Sequence, residues 1–210
     1  MLDHRIVPLQ NRILVPVARV LAARGVRADT LSWAGFGFGV AAFFLIAASF
    51  SAFGLVAIAA NRLLDGLDGS VARATHPTDR GAFLDIVLDF VFYALVPLGF
   101  AIADAEANAL PAAVLIASFV GTGSSFLAFS LLAERRGLRS RRFPSKGLYY
   151  LGGLAEGAET IAVFVVMCLF PSYFAALAYG FALVCALATV LRWRHGLTVL
   201  AGTQQPGPVR

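Results

Sequence analysis

The stretch NRLLDGLDGSVARATHPTDRGAFLDIVLDF, residues 61–90, concentrates the chemistry of this chain. Four of its aspartates, Asp65, Asp68, Asp85 and Asp89, lie inside runs that otherwise read as membrane-spanning. A charged side chain at the centre of a spanning helix costs around 2.5–3.5 kcal/mol on insertion scales. Helical spacing gives the four a common purpose. Asn61, Asp65, Asp68 and Ala72 share one helix face, and Gly81, Asp85 and Asp89 share a face of the next helix. Two facing pairs of carboxylates make an oxygen-rich, strongly negative pocket, which either shares protons or holds hard cations. Oxygen-only ligands suit Mg2+, Mn2+ or Ca2+ and do not suit zinc or copper. Four carboxylates have room for two ions, and a pair of ions is a good clamp for phosphoryl oxygens in an in-line displacement.

The neighbours of these acids fit a phosphate ligand. Gly66, Gly69, Ala72 and Gly81 remove side-chain bulk beside the carboxylates. Glycine inside a helix costs up to about 1 kcal/mol against alanine, a cost that makes sense where a ligand approaches the backbone. Arg73 offers a forked donor to a phosphate. The plainer readings of intramembrane acids are proton relays, cation sites in a transporter, and an ion pair, here with Arg62.

The elements that must position these residues are helices in a membrane. Of the 210 residues, 59% are hydrophobic and 14% charged, too apolar for a soluble domain of this length. Six spans are expected, at 29–49, 53–74, 79–104, 109–133, 147–170 and 172–194, each with the roughly 20 residues a bilayer core needs. Asp29 is placed to N-cap the first. Ahead of them, Arg5, Arg12 and Arg19 recur every seven residues in an apolar background. That pattern predicts an amphipathic helix over residues 1–24 lying in the interface, bent or interrupted by Pro8 and Pro16. Residues 25–200 form one six-helix domain, and 201–210 read as a disordered tail. The net charge of +5 carries no nucleic-acid signal, because no basic stretch is interleaved with aromatics. Instead, Lys and Arg cluster at the N-terminus, near 74–79, in 134–146 and after 190, with Arg62 the deep exception. The positive-inside rule then puts both termini in the cytoplasm, with the basic loops against anionic lipid. Gly35, Gly37 and Gly39, and the pair Gly153 and Gly157, are spaced for close helix packing. Cys168 and Cys185 fall at different depths, roughly 16 Å apart by helical rise, and read as packing residues.

Asp65-x-x-Asp68-Gly69-x-x-Ala72-Arg73, seven residues, then Gly81-x-x-x-Asp85-x-x-x-Asp89 resembles the signature of the CDP-alcohol phosphotransferase family. Every fixed position is present, although the motif covers only about an eighth of the chain. The resemblance implies a metal-dependent enzyme of the cytoplasmic membrane. It would transfer the phosphatidyl group of CDP-diacylglycerol to an acceptor alcohol and release CMP, in phospholipid synthesis. It implies Mg2+ or Mn2+, two ions, held by Asp65, Asp68, Asp85 and Asp89. Asp89 is then the general base, Gly69, Ala72, Arg73 and Gly81 cradle the CDP moiety, and the protein is a homodimer. A cation- or proton-coupled transporter using the same acids is the competing function, although no internal repeat supports it.

The acceptor is less clearly written. The loop AERRGLRSRRFPSKG holds Arg135, Arg136, Arg139, Arg141, Arg142 and Lys146. It reads either as the positive-inside signal or as a clamp for an acceptor phosphate, with Arg192 and Arg194 joining. Glu156 and Glu159, one helical turn apart, either pair with Arg62 or Arg80 or shape an acceptor pocket for a hydroxyl-rich or cationic alcohol. Arg142, Lys146, Glu156 and Glu159 are the acceptor-site candidates, and glycerol 3-phosphate is the acceptor favoured among the alternatives.

Overall fold

A computed structural model describes residues 14–137 and 157–202. Seven helices run through them: α1 (Leu14–Ala23), α2 (Ala28–Ala47), α3 (Ser51–Ala74), α4 (Asp79–Ala103), α5 (Ala105–Arg135), α6 (Gly157–Leu169) and α7 (Phe174–Gly202). A 3-10 turn, Pro171–Tyr173, joins the last two. No strand occurs among the described residues. Inside a bilayer every backbone N–H and C=O must be satisfied within the protein, and a helix does this within its own segment.

Four helical segments, α2, α4, α5 and Pro171–Ala201, are long and apolar enough to cross a membrane. Their most apolar windows are only 22–39% buried, so most of their greasy surface faces outward, as lipid-facing surface should. The 24-residue α3 is also long enough, but Arg62, Asp65, Asp68 and Arg73 break its apolar character. The described part of α6 has 13 residues, and 147–156 of that expected span lie outside the described residues. The last helix runs past its expected end at 194 to Gly202.

The helices meet pairwise. α2 packs on α3 and α4, α5 on α4 and α7, and α6 on α3. Phe92, Val96 and Phe100 of α4, Phe164 of α6 and Phe174 of α7 fill the main core. Phe100 stacks on Phe174 with ring centroids 4.5 Å apart. Cys168 and Cys185 are free thiols in this core, as expected of packing residues.

A second, smaller core ties α1 down. Its Leu14 and Ala18 are buried against Leu31 of α2 and Leu67 and Val71 of α3, while Arg19 stays exposed. Pro16 lies in the first described turn of α1, a position where proline is tolerated. Arg5, Pro8 and Arg12 lie outside the described residues. The turn into α2 uses Gly25 at φ +78°, a left-handed conformation that favours glycine. Gly25 N–H donates to Ala22 C=O at 2.9 Å and Val26 N–H to Leu21 C=O at 3.0 Å. This pair of bonds is a Schellman closure, which ends α1 sharply and turns the chain back.

Candidate active site

Helix packing brings the predicted acids together. One oxygen from each of Asp65, Asp68 and Asp85 lies within 4.8 Å of the others, an arrangement able to hold a metal ion. Asp65 and Asp68 come from α3 and Asp85 from α4, so the cluster exists only when these helices align. Small residues on α2 permit that alignment. A Cβ on Gly39 would sit 2.9 Å from the Phe92 ring of α4 and 3.3 Å from Asn61 Nδ2 of α3. Asn61 Nδ2 also donates to Gly35 C=O at 2.8 Å, a buried bond that sets the register of α2 on α3.

Each acid has a different setting. Asp68 is only 5% exposed and accepts a 2.6 Å hydrogen bond from Ser32 Oγ of α2. Asp65 is partly exposed and Asp85 exposed. Asp89 stands apart from the three-residue cluster and accepts a 2.8 Å bond from Arg62 Nη2. Arg62 Nη1 also lies 3.5 Å from Asp65 Oδ2. The expected alternative of an ion pair with Arg62 therefore holds for Asp89 and Asp65, beside an intact cluster of three.

Two hollows flank the acids. The larger, about 560 Å³, is lined by Asp68, Gly69, Ala72 and Arg73 of α3 and by Gly81 and Asp85 of α4. The four residues expected to cradle a nucleotide thus share one cavity wall. The nearest atoms a Cβ on Gly69 would meet are those of the Arg73 guanidinium, with Nη1 at 3.2 Å. Arg73 Nη2 is steadied by Ser70 Oγ at 3.1 Å. The N-termini of α2 and α4 both border this cavity through Ala28 and Gly81, and helix N-termini favour anions. Thr78 caps α4, accepting from Gly81 N–H at 3.1 Å. The smaller hollow, about 10 Å³, is bounded by all four aspartates together with Ser32, Asn61 and Arg62. Its size suits a single water or ion. Ser32, Asp68 and Asp85 border both hollows.

Several participants escaped the sequence reading. Ser32 has no helical-period relation to Asp68, 36 residues away. Asp29 does not cap α2: the cap position is Arg27, with no side-chain bond, and Asp29 instead lies 3.5 Å from Arg80 at the cavity edge. His76, credited with nothing, lines the large cavity, as do Ala22 and Gly25 at the end of α1. Arg192 Nη1 donates to Thr122 C=O at 2.7 Å, so this guanidinium ties α7 to α5. Arg62 and Arg80 are engaged by Asp89, Asp65 and Asp29. Of the acceptor-site candidates, Glu159 lies in the first turn of α6, whereas Arg142, Lys146 and Glu156 lie outside the described residues.

Residues 25–198 match the profile of a family described as CDP-alcohol phosphatidyltransferase. The chain belongs to that family. It is therefore a membrane phosphatidyltransferase of phospholipid synthesis, and its intramembrane acids serve an enzyme, not a transporter. A relative is the Inner membrane protein YnjF of Escherichia coli (strain K12). It is 46% identical over 205 residues, covering 98% of this chain and 100% of that one. Among solved structures, Mycobacterium tuberculosis phosphatidylinositol phosphate synthase (PgsA1) with CDP-DAG bound shares the fold. The TM-score is 0.66 at 22% identity, with 89% of this chain and 94% of that chain covered. For a CDP-alcohol phosphatidyltransferase the donor set of Asp65, Asp68 and Asp85 is chemically apt: three hard oxygens within 4.8 Å of one another, two of the acids, Asp68 and Asp85, also lining the large cavity.

Proposed function

We propose that the enzyme transfers the phosphatidyl group of CDP-diacylglycerol to a phosphate-bearing polyol, glycerol 3-phosphate being the acceptor favoured, and releases CMP. The observation carrying this reading is the shared wall: Asp68 and Asp85 of the acidic cluster line the same cavity as Gly69, Ala72, Arg73 and Gly81. The donor is the class of molecule named with the M. tuberculosis structure of the same fold. The nucleotide half lies in the large cavity, where Arg73 and the N-termini of α2 and α4 meet its phosphates. The acyl chains extend sideways into lipid.

Asp65, Asp68 and Asp85 hold Mg2+ or Mn2+, with Asp89 completing the set for a second ion. When bound, the metal supplies positive charge that neutralises the pyrophosphate and stabilises the departing CMP. Asp89 takes the proton of the acceptor hydroxyl at a carboxylate oxygen. The freed oxygen attacks the lipid-bearing phosphorus. A new P–O bond forms to the acceptor as the P–O bond to CMP breaks, and the proton passes from Asp89 to water. No covalent enzyme intermediate is needed.

The wider reading places the protein as a six-span homodimer in the inner membrane with both termini cytoplasmic. Its YnjF relative, named as an inner membrane protein, and the distribution of Lys and Arg support this location. Residues 1–24 form the interfacial helix, 25–200 the catalytic domain and 201–210 a tail. The basic loop with Arg142 and Lys146, and the acids Glu156 and Glu159, form the acceptor side.

The test is direct. Purified enzyme in detergent with Mn2+ and CDP-diacylglycerol receives glycerol 3-phosphate, inositol phosphate, free inositol or serine, and CMP release is followed. Release with glycerol 3-phosphate at a rate at least about tenfold above that with free inositol or serine is expected, a ratio matching one good phosphate contact. Release with serine or free inositol alone would refute a phosphate-bearing acceptor.

A further inference from the structure

Arg62 belongs to none of the signature positions, yet it is held on three sides inside the site. Its Nε donates to Asn61 Oδ1 at 2.7 Å. Its guanidinium carbon lies 4.5 Å from the Phe92 ring centroid and 5.8 Å from that of Tyr93. Its two remaining nitrogens reach Asp89 at 2.8 Å and Asp65 at 3.5 Å. Asn61 is itself anchored to Gly35 C=O, and Phe92 is fully buried. A guanidinium so braced has little freedom to swing away. Its planar fork fixes the direction of whatever carboxylate it holds.

We infer that Arg62 is a positioning residue: a built-in cation that orients Asp89 and limits how strongly the free site attracts divalent ions. This rests on the metal and base roles proposed above. Four carboxylates carry four negative charges, and Arg62 returns one positive charge at their inner edge. It also engages an oxygen of Asp89 that would otherwise be available to an ion. The three acids left clustered, Asp65, Asp68 and Asp85, form the primary ion site. Arg62 and Asp89 both line the small hollow and neither is on the wall of the large cavity, so Arg62 meets Asp89 away from the nucleotide side.

The two consequences run in opposite directions, which a merely structural residue would not produce. Removing the charge tightens divalent binding, because a repelling cation is lost. Removing the fork slows turnover, because Asp89 loses its orientation. Mn2+ binding to the full-length protein in detergent is titrated through the electron paramagnetic resonance signal of free Mn2+, without substrates. Wild type, Arg62→Gln, Arg62→Lys and Asp68→Asn are compared, and kcat and KM are then measured at saturating Mn2+.

Arg62→Gln should bind Mn2+ about tenfold or more tightly, the scale of repulsion between cations several ångströms apart. Its kcat should fall on the order of 10²-fold, as expected for a misplaced reacting group, with the donor KM little changed. Arg62→Lys keeps the charge and loses the fork, so it should retain wild-type Mn2+ affinity with a lowered kcat. Should Arg62→Gln fail to fold, the Lys variant decides, since an unchanged kcat there removes the positioning role. Equal Mn2+ affinity in wild type and Arg62→Gln, with Asp68-dependent binding intact, would overturn this inference alone. Absence of Asp68-dependent Mn2+ binding in the wild type would overturn the metal reading and this inference with it.

Discussion

Ser32 Oγ donates a 2.6 Å hydrogen bond to Asp68 Oδ2, joining α2 to the most deeply buried acid of the site. A hydroxyl cannot follow a carboxylate through large rotations, so this bond holds one face of Asp68 and leaves the other for an ion. Outer partners of this kind orient ligands and commonly govern metal affinity by 10–100-fold. Ser32→Ala should therefore weaken Mn2+ binding by roughly tenfold and lower CMP release at subsaturating metal, with recovery at high Mn2+. A metal titration of activity checks this, and an unchanged half-saturating concentration would show that Ser32 does not orient Asp68.

Asp68 and Asp89 should fail in different ways. Asp68→Asn removes a charge from the three-acid cluster and should raise the Mn2+ requirement by about tenfold or more. Asp89→Asn leaves that cluster intact but cannot accept a proton. Its turnover should fall by roughly 10²–10⁴ while CDP binding, measured by calorimetry with Mn2+, persists. Comparable loss of CDP affinity in both variants would remove the distinction between ligand and base.

Chelation provides a test of the cluster as a whole. EDTA treatment should abolish CMP release, and adding back Mn2+ or Mg2+ should restore it, while Zn2+ should not. Full activity after stringent chelation would mean that Asp65, Asp68 and Asp85 serve some other purpose.

Arg73 should act on the nucleotide alone. Replacing it by Ala removes a forked donor from the cavity wall and should weaken CDP binding by about tenfold, with the Mn2+ affinity of the free protein nearly unchanged. Calorimetric titration of each ligand separately would reveal whether the two effects are separable.

Gly39 probes the scaffold. A methyl there would press to 2.9 Å on Phe92, which is fully buried and has no free direction in which to move. Gly39→Ala should destabilise the protein by about 1–3 kcal/mol, the usual cost of overpacking, and disturb the aromatic seat of Arg62. Thermal unfolding in detergent measures the first effect and the kcat of the folded fraction the second.

Much of the site could be read from spacing alone. Asp65 and Asp68 on one helix and Asp85 on the next have the separations that bring carboxylates to one face, and the structure gathers those three at one point. Gly69, Ala72, Arg73 and Gly81, which the family resemblance assigns to the CDP moiety, line one cavity. What spacing could not give was the azimuth of α2, because helix rotation is decided by packing among distant residues. Ser32 and the Asp29–Arg80 pair depend on that azimuth. Asp29 shows the limit of local rules, since a favourable cap residue is used by an arginine 51 positions later. Arg192 shows another: its charge suggested a phosphate, while its 2.7 Å bond to Thr122 C=O serves the joint between α5 and α7. The span count is less legible, because α3 gives up apolar character to the charged residues it carries and 147–156 lie outside the described residues.

Ser32, Asp68 and Asp85 are common to the broad hollow and to the small one beside Asp89, and that adjacency bears on the order of events in a catalytic cycle. With the donor in the broad hollow and the acceptor at Asp89, as proposed, both reactants would be present together at the instant of exchange. Steady-state rates measured against both concentrations should trace intersecting lines on a reciprocal plot, and parallel lines would mean that the lipid is parked on the protein between two half-reactions.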